Sequence, residues 1–505
     1  DIANFLKDTS KLNEINEDRK SMGIYYTPED ISNFMALNAL LDNFKKDRNK
    51  LYDYEEFNIN NLENKIGMKD MTNKKVMDPT CGNSEFLISI IKSKIKILDG
   101  KYDLKDIIKI SENLYGNDIN INAIIISKIR IFLLLISLID KNELNIEVLN
   151  TIKTNIDNNF TNKNILIDYQ FNNKFDIIIG NPPYVETSKY PIKLDKRYGN
   201  IYANILGLSL NLLDENGILA FIIPISYVST VRMKKIRKVV QNQSGKQVIL
   251  NFADRPDSLF SAAHQKLSIV FIENSKIEGD VKEVYTSNYQ YWYKEERIDL
   301  FKNIDIVYNE HITEDFIPKL GNKLDVNIYK KIKSSEGKSI YDYITDKKNN
   351  EDSIYLNMRA TFWIKSFLDN GISKEYKRIL CSTKDKYYLY CIFNSSLFFW
   401  YWTVVSDCWH ITNKEFRNFR LVTDLDNILY NKFEKLSYKL SKELEDTKVY
   451  VGTKQTDYEY KHKECKFIID EIDKELANIY GLTDDELKYV QNFAIRYRES
   501  RGPKK

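Results

Sequence analysis

The sequence predicts an α/β protein: a doubly wound sheet of seven strands up to about residue 280, then a mixed α+β region that ends in helices. Three observations carry this prediction. Phe175-Asp176-Ile177-Ile178-Ile179-Gly180 is an apolar, β-branched run without polar alternation, as expected of a strand buried on both faces of a parallel sheet. Val76-Met77-Asp78 is followed by a turn holding Gly82 and by an amphipathic stretch (Phe86, Leu87, Ile90, Ile91), which reads as strand, tight turn, helix. Strand-like and helical runs then alternate as far as Ile272.

The strand at Phe175 stops at Asn181-Pro182-Pro183-Tyr184, because neither proline has an N–H to give to a ladder. Ligands of open α/β sheets bind beyond the carboxyl ends of the strands, so Asn181 and Tyr184 stand where a ligand is expected. A polar amide, a stiff backbone carbonyl and an aromatic face at one strand end suit the capture of a flat, amine-bearing ring.

The remaining elements follow in order. A polar, charged arm occupies the first twenty residues. Thr27 before Pro28 predicts a helix start, with Glu29 and Asp30 in the first turn and the helix running to about Leu41. Residues 45–73 read as a loop or insertion. Asn113 to Asp118 reads as a second strand ending in an acid, and a long helix is expected from Ile121 to Ile139. Asn164 to Asp168 is expected as a third strand, again ending in an acid, and the run at Phe175 is the fourth. A helix at Ile201 to Leu213 leads to strand five at Gly217 to Pro224. A basic helix at Val231 to Val240 leads to strands at Gln247 to Phe252 and Lys266 to Ile272. These elements predict one domain over residues 1–280 and a second over 281–505, the latter with helices at about 430–498.

Composition excludes several classes. A chain of 505 residues is long for one core. It is 43% hydrophobic, and no apolar stretch reaches the ~18–20 residues of a membrane span, since Lys128 and Arg130 interrupt the longest. The chain begins at Asp1 rather than Met, and nothing in it resembles a signal peptide. Five scattered cysteines give no disulfide framework and point to a reducing cytoplasm. Cys381 and Cys391 lack zinc spacing and the four histidines are isolated, so no metal site is expected. A net charge of +3 rests on 75 basic and 72 acidic residues, so any basic surface must be local. Nothing sets an oligomeric state, and a monomer is compatible with the sequence.

The order Gly23-x-Tyr25-Tyr26-Thr27-Pro28, then Asp78-Pro79-Thr80-Cys81-Gly82, then Asp118, then Asn181-Pro182-Pro183-Tyr184 resembles the gamma class of amino-methyltransferases. In particular it resembles the N6-adenine DNA methyltransferases of restriction–modification systems, such as the TaqI methyltransferase. The resemblance covers residues 21 to about 275. It implies a Rossmann-like, seven-stranded domain dependent on S-adenosylmethionine, followed by a DNA target recognition domain. It further implies that Tyr25, Tyr26 and Thr27 close over the methionine end of the cofactor. Asp78 and Gly82 would hold its amino acid moiety, Asp118 its ribose hydroxyls, Ile119 its adenine face and Asp168 its exocyclic amine. One departure stands out: the family usually has a second glycine where this chain has Ser84. The implied partner is double-stranded DNA.

The chemistry can be argued from the residues as well. The N6 amine of adenine is a poor nucleophile because its lone pair is delocalised into the ring. The Asn181 side-chain oxygen and the Pro182 carbonyl can accept its hydrogens and favour a pyramidal nitrogen, which is catalysis by positioning and electrostatics. The target atom cannot be reached inside a duplex, so the base must be flipped out. Tyr184 would stack on it, and Phe260 is the candidate for its other face, with His264 as runner-up. Protein-glutamine and ribosomal RNA methyltransferases share Asn-Pro-Pro-Tyr, so those substrates stay open, as does a catalytically weak DNA-binding module. Arg232 to Lys238 is a candidate phosphate contact and Trp400 to Arg420 a candidate groove reader, each equally readable as ordinary structure. No Asp…Glu-x-Lys nuclease constellation is recognisable, and no intrinsic DNA cleavage is expected.

Overall fold

The computed structural model describes residues 8–9, 27–41, 50–62, 68–168, 173–194, 197–260, 264–275, 282–369, 375–453 and 456–503. The chain divides into two compact units, one of residues 1–290 with 294–310 and one of residues 291–293 with 311–505.

The first unit is built on a mostly parallel nine-stranded sheet flanked by helices. Its strands are β1 (Val76–Asp78), β2 (Leu114–Asp118), β3 (Phe160–Asn162), β4 (Phe175–Gly180), β5 (Leu213–Pro224), β6 (Ser244–Phe252), β7 (Leu267–Asn274), β8 (Glu283–Gln290) and β9 (Val307–Tyr308). Their order in the sheet is 3-2-1-4-5-7-6-8-9. β7 lies antiparallel between β5 and β6, and every pairing among β1 to β5 is parallel. The order reverses between β1 and β4, the switch point at which crossovers leave a crevice. Ile177, Ile178 and Ile179 are fully buried there, at about 1.5–3 kcal/mol per side chain.

Seven helices of two or more turns accompany these strands among the described residues: α1 (Glu29–Leu40), α2 (Glu85–Leu98), α3 (Leu104–Glu112), α4 (Ile121–Ser137), α5 (Ile146–Asn159), α6 (Ile201–Leu212) and α7 (Lys234–Gln243). Several begin on side-chain caps. Asp103 and Asp106 form a capping box on α3, and Asn120, Asn145 and Asn200 cap α4, α5 and α6.

Three expectations are corrected here. Asn164 to Asp168 is a turn, not a strand, and the third strand is Phe160–Asn162. The Asn164 and Asp168 side chains take backbone N–H groups within the segment (Asp168 Oδ2 from Asn164 N at 3.1 Å, Asn164 Oδ1 from Leu166 N at 3.2 Å). That local bonding competes with a ladder and wins over an apolar run of three. The sheet has nine strands rather than seven, and its unit continues beyond residue 280 because β8 pairs in parallel with β6 and β9 pairs antiparallel with β8. In the basic segment, Arg237 turns inward: it is 1% exposed and donates to the carbonyls of Tyr227 and Thr230. Arg232 pairs with Glu186 at 2.9 Å.

The second unit combines a three-stranded antiparallel sheet with helices. The sheet holds β10 (Asp352–Asn357) between β11 (Ser366–Phe367) and β12 (Tyr376–Cys381). The helices include α8 (Lys323–Ser334), α9 (Lys386–Asn394), α10 (Ser396–Val405), α11 (Asn427–Thr447), α12 (Lys466–Tyr480) and α13 (Asp484–Asn492). The aromatic run expected as a groove reader is α10, and every residue of it is buried. Trp400 donates to Asp325 at 2.8 Å and Trp402 to the carbonyl of His410 at 2.9 Å. Arg417 lies over the Tyr341 ring and Arg420 donates to the carbonyl of Gly337.

Candidate active site

The carboxyl ends of β1, β2 and β4 carry the residues singled out in the sequence. Asp78 ends β1 and is 1% exposed. Its Oδ1 accepts from the Thr80 N–H at 3.0 Å. Burial pushes its carboxyl well above the usual range, the Thr80 bond opposes the shift, and the Asp118 charge adds to it. No cation pairs with it among the described residues. β4 passes close by: a Cβ on Gly180 would stand 2.7 Å from Asp78 Oδ1 and would push that carboxylate aside.

Asp118 ends β2 and uses both carboxylate oxygens. Oδ2 accepts from the Gly82 N–H at 2.9 Å, and Oδ1 from the Asn120 N–H at 2.8 Å. The loop after β1 is thereby tied to the second strand. Gly82 has φ +51 and Ser84 φ +65, so the loop uses two left-handed residues of which only one is glycine. A Cβ at Gly82 would meet nothing within 4 Å, so the loop borders open space there. Ile119, next to Asp118, is 65% exposed and offers an apolar face on the same rim.

Asn181 follows β4 directly, and its amide nitrogen lies 3.2 Å from the Thr27 hydroxyl, which is itself buried. Pro182 is buried and Pro183 half-buried. Tyr184 donates its hydroxyl to the Ile222 carbonyl at 3.1 Å, and its ring meets Tyr202 edge-on at 6.3 Å.

Other residues of the expected set fall elsewhere. Tyr25 and Tyr26 lie outside the described residues. Asp168 is exposed in the turn after β3 and does not end a strand. The polar side chain where β3 turns is Asn164, which donates to the Tyr190 hydroxyl at 2.7 Å. Phe260 is 2% exposed, packed inside the unit rather than offered to a ligand. His264 is exposed, with Nδ1 at 3.2 Å from the Asp254 carbonyl.

Three residues of this rim were not anticipated. Asn117 donates to the carbonyls of Pro79 and Lys163, both at 3.1 Å, and accepts from Thr161 at 2.9 Å. Ser127 donates to the Gly82 carbonyl at 2.7 Å, and the buried Arg130 donates to the Asn83 carbonyl while pairing with Glu85 at 2.6 Å. The available signal was a serine and an arginine three apart on one face of an otherwise apolar helix. Asn117 had none, being one asparagine in an asparagine-rich chain.

The donor set fits a cofactor with an ammonium, a diol and a flat ring. A buried carboxyl lacks a cation, a second carboxylate stands at the next strand end, and an exposed isoleucine adjoins it. Among the described residues no cluster of His, Cys, Asp or Glu could hold a metal ion, and no helix is long and apolar enough to cross a membrane. The five cysteines are buried and none is in a disulfide.

The architecture is a mostly parallel α/β sheet with Asp78 and Asn181 at the two strand ends of its switch point. Comparison with known proteins narrows this. Residues 112–260 match the family model described as Eco57I restriction-modification methylase, a span that holds Asp118 and Asn181 to Tyr184, with Asp78 and Gly82 ahead of it. Over 150 residues the chain is 31% identical to a Methanocaldococcus jannaschii protein named as a type II restriction enzyme and methyltransferase. That alignment takes in 24% of this chain and 13% of the relative's length. Among solved structures, the Type IIL restriction-modification enzyme MmeI in complex with DNA superposes with a TM-score of 0.53 and 13% identity, covering 97% of this chain and 80% of that one. A nuclease-deletion mutant of the Type ISP enzyme LlaGI, with a DNA substrate mimic, gives 0.46 at 15% identity, and the match spans 83% of this chain and 47% of that one. At these identities the structural likeness is one of fold.

Proposed function

We propose that this chain is the methyltransferase part of a restriction–modification enzyme. In this reading it moves a methyl group from S-adenosylmethionine to the N6 amine of an adenine flipped out of double-stranded DNA. The observation that carries the reading is the position of Asn181 to Tyr184 at the end of β4, across the switch point from Asp78 at the end of β1, with Asp118 at the end of β2 one strand further on. The family match over residues 112–260 supports the restriction–modification setting.

Asp78 would hold the ammonium of the cofactor, the Gly82 loop would lie against its amino acid end, and Asp118 would accept from its ribose hydroxyls. Ile119 would pack on its adenine. When bound, the cofactor supplies an electrophilic sulfonium methyl. The chain's own work is on the target amine. The Asn181 side-chain oxygen and the Pro182 carbonyl accept its two hydrogens and turn its lone pair toward the methyl. Pro182 and Pro183 keep that carbonyl in place, because neither φ can rotate freely. Tyr184, braced by the Ile222 carbonyl and Tyr202, would stack on the flipped base at ~1–3 kcal/mol. Phe260 is buried, so the exposed His264 would be the partner for the opposite face of the base.

The decisive experiment is Asn181→Ala. Methyl transfer to DNA is expected to disappear while S-adenosylmethionine still binds in calorimetry. Near-normal transfer by this variant would refute the mechanism.

A further inference from the structure

In the second unit, the segment from Ser406 to Thr412 is fixed by an unusual density of bonds. Lys319 donates to the Ser406 carbonyl at 2.6 Å, and the Cys408 N–H donates to the Ser406 hydroxyl at 2.9 Å. Cys408 is left-handed, with φ +56. Trp402 holds the His410 carbonyl, and Asp407 Oδ1 accepts from the N–H groups of both Trp409 and His410. Thr412 closes the segment with a capping box to Glu415. Burial raises the Asp407 carboxyl, but the His410 side chain and these backbone bonds outweigh it and hold it below the usual range.

This segment runs antiparallel to Met358–Ala360. Ala360 N donates to the Trp409 carbonyl at 3.0 Å and Ile411 N to the Met358 carbonyl at 2.9 Å. Arg359 and His410 are therefore direct cross-strand neighbours. Opposite residues of such a pair project to one face, with Cβ atoms ~4.5–5.5 Å apart. Ala360, Cys408 and Ile411 beside them are buried, yet the Arg359 and His410 side chains are 55% and 50% exposed.

Each head group is held from behind by a carboxylate. Glu375 takes Nη1 of Arg359 at 3.0 Å, and Asp407 Oδ2 takes Nδ1 of His410 at 2.8 Å. A carboxylate only accepts, so Nδ1 donates to Asp407 and the ring is held with Nε2 on its far side. Neither Nε2 of His410 nor the Nε and Nη2 groups of Arg359 make a hydrogen bond among the described residues. An exposed ion pair adds little stability, on the order of 0–1 kcal/mol, so fold stability alone does not account for two such pairs on one rigid corner.

We infer that Arg359 and His410 form a preorganised base-reading pair, Arg359 for the O6 and N7 acceptors of a guanine and His410 for the edge of the same or the adjacent base pair. The inference rests on the DNA-binding side of the reading above and names the residues that set sequence preference. The fork of a guanidinium matches guanine bidentately, and holding it in place in advance removes the entropy of ordering a long side chain.

The test is selection from randomised duplex DNA with the full chain, its Arg359→Ala, Arg359→Lys and His410→Ala variants. The wild type should enrich a defined sequence. Arg359→Ala should lose discrimination at one guanine by about 10- to 100-fold, and Arg359→Lys should lose it too, because a point charge lacks the fork. His410→Ala should relax the same or the neighbouring position. Unchanged preference in the variants, uniform weakening rescued by Lys, or no enrichment by the wild type would each overturn the inference. Methyl transfer to the enriched sequence is measured separately. A chain that binds that sequence without methylating it removes the methyltransferase reading and leaves the base readers standing.

Discussion

The side-chain amide of Asn181 is tied to the hydroxyl of Thr27 at 3.2 Å, which joins the end of β4 to the residue that precedes Pro28 and α1. The two ends of a carboxamide lie in one plane, so fixing the nitrogen fixes where the oxygen points. Thr27→Val should lower single-turnover methyl transfer about tenfold, near the net worth of one hydrogen bond. Thr27→Ser should keep it. Rates are compared at saturating S-adenosylmethionine and DNA, and a wild-type rate in the valine variant would remove this link.

Gly180 is fixed by steric contact rather than by chain flexibility. A methyl group there would stand 2.7 Å from Asp78 Oδ1, inside contact distance, and both residues sit on neighbouring paired strands. Gly180→Ala should cost about 1–3 kcal/mol of stability and weaken S-adenosylmethionine binding at least tenfold. Thermal unfolding and calorimetry read the two effects. An unchanged pair of values would show that β4 has room to move.

Ser84 occupies a conformation that glycine adopts without cost. Ser84→Gly should raise stability by about 1 kcal/mol by removing the left-handed penalty on a Cβ. Ser84→Ala keeps the Cβ and should show no such gain. Denaturant midpoints of the three proteins decide it, and a destabilised glycine variant would mean that the serine hydroxyl supports the loop.

His462 makes the second unit sensitive to acid. Burial, with Lys365 and Arg498 nearby, lowers its pKa from 6.5 to about 3. The folded state thus refuses a proton that the unfolded chain accepts. Its contribution is full above pH 6.5 and is lost progressively toward about pH 3, on the order of a few kcal/mol in all. His462→Gln should flatten the pH dependence of unfolding between pH 7 and 5 relative to the wild type. An equal slope in both proteins would show that His462 does not titrate in this window.

The legibility of the sequence varied with what ends each element. β1, β2 and β4 could be read because each stops on a residue that cannot continue: Asp78 before Pro79, Asp118 before the Asn120 cap, Gly180 before Asn181 and two prolines. β3 could not, because Phe160-Thr161-Asn162 has one apolar residue while Ile165-Leu166-Ile167 has three. The Asn and Asp side chains that turn the latter into a bend act through hydrogen bonds that no hydrophobic pattern records. β8 mixes Glu283, Tyr285 and Asn288 with few aliphatic residues, and only its pairing with β6 makes it a strand. At the site, motif residues were legible but their supports were not. Ser127 and Arg130 reach the loop from a helix that reads as plain core, and the exposure of Phe260 is decided by packing from elsewhere in the unit. In the second unit, Trp400 and Trp402 looked like readers because aromatics serve both interfaces and cores. The wholly buried helix that carries both, with Trp400 bonded to Asp325, makes them core.

The amide of Asn117 reaches the loop after β1 through Pro79, the end of β3 through Thr161 and the turn beyond it through Lys163. One side chain on β2 thereby fastens the loop after β1, the end of β3 and the turn that follows it. Hydrogen exchange should show them as one cooperative unit, with a ligand that orders the Gly82 loop also slowing amide exchange around Lys163 and Leu166, on a turn it never touches.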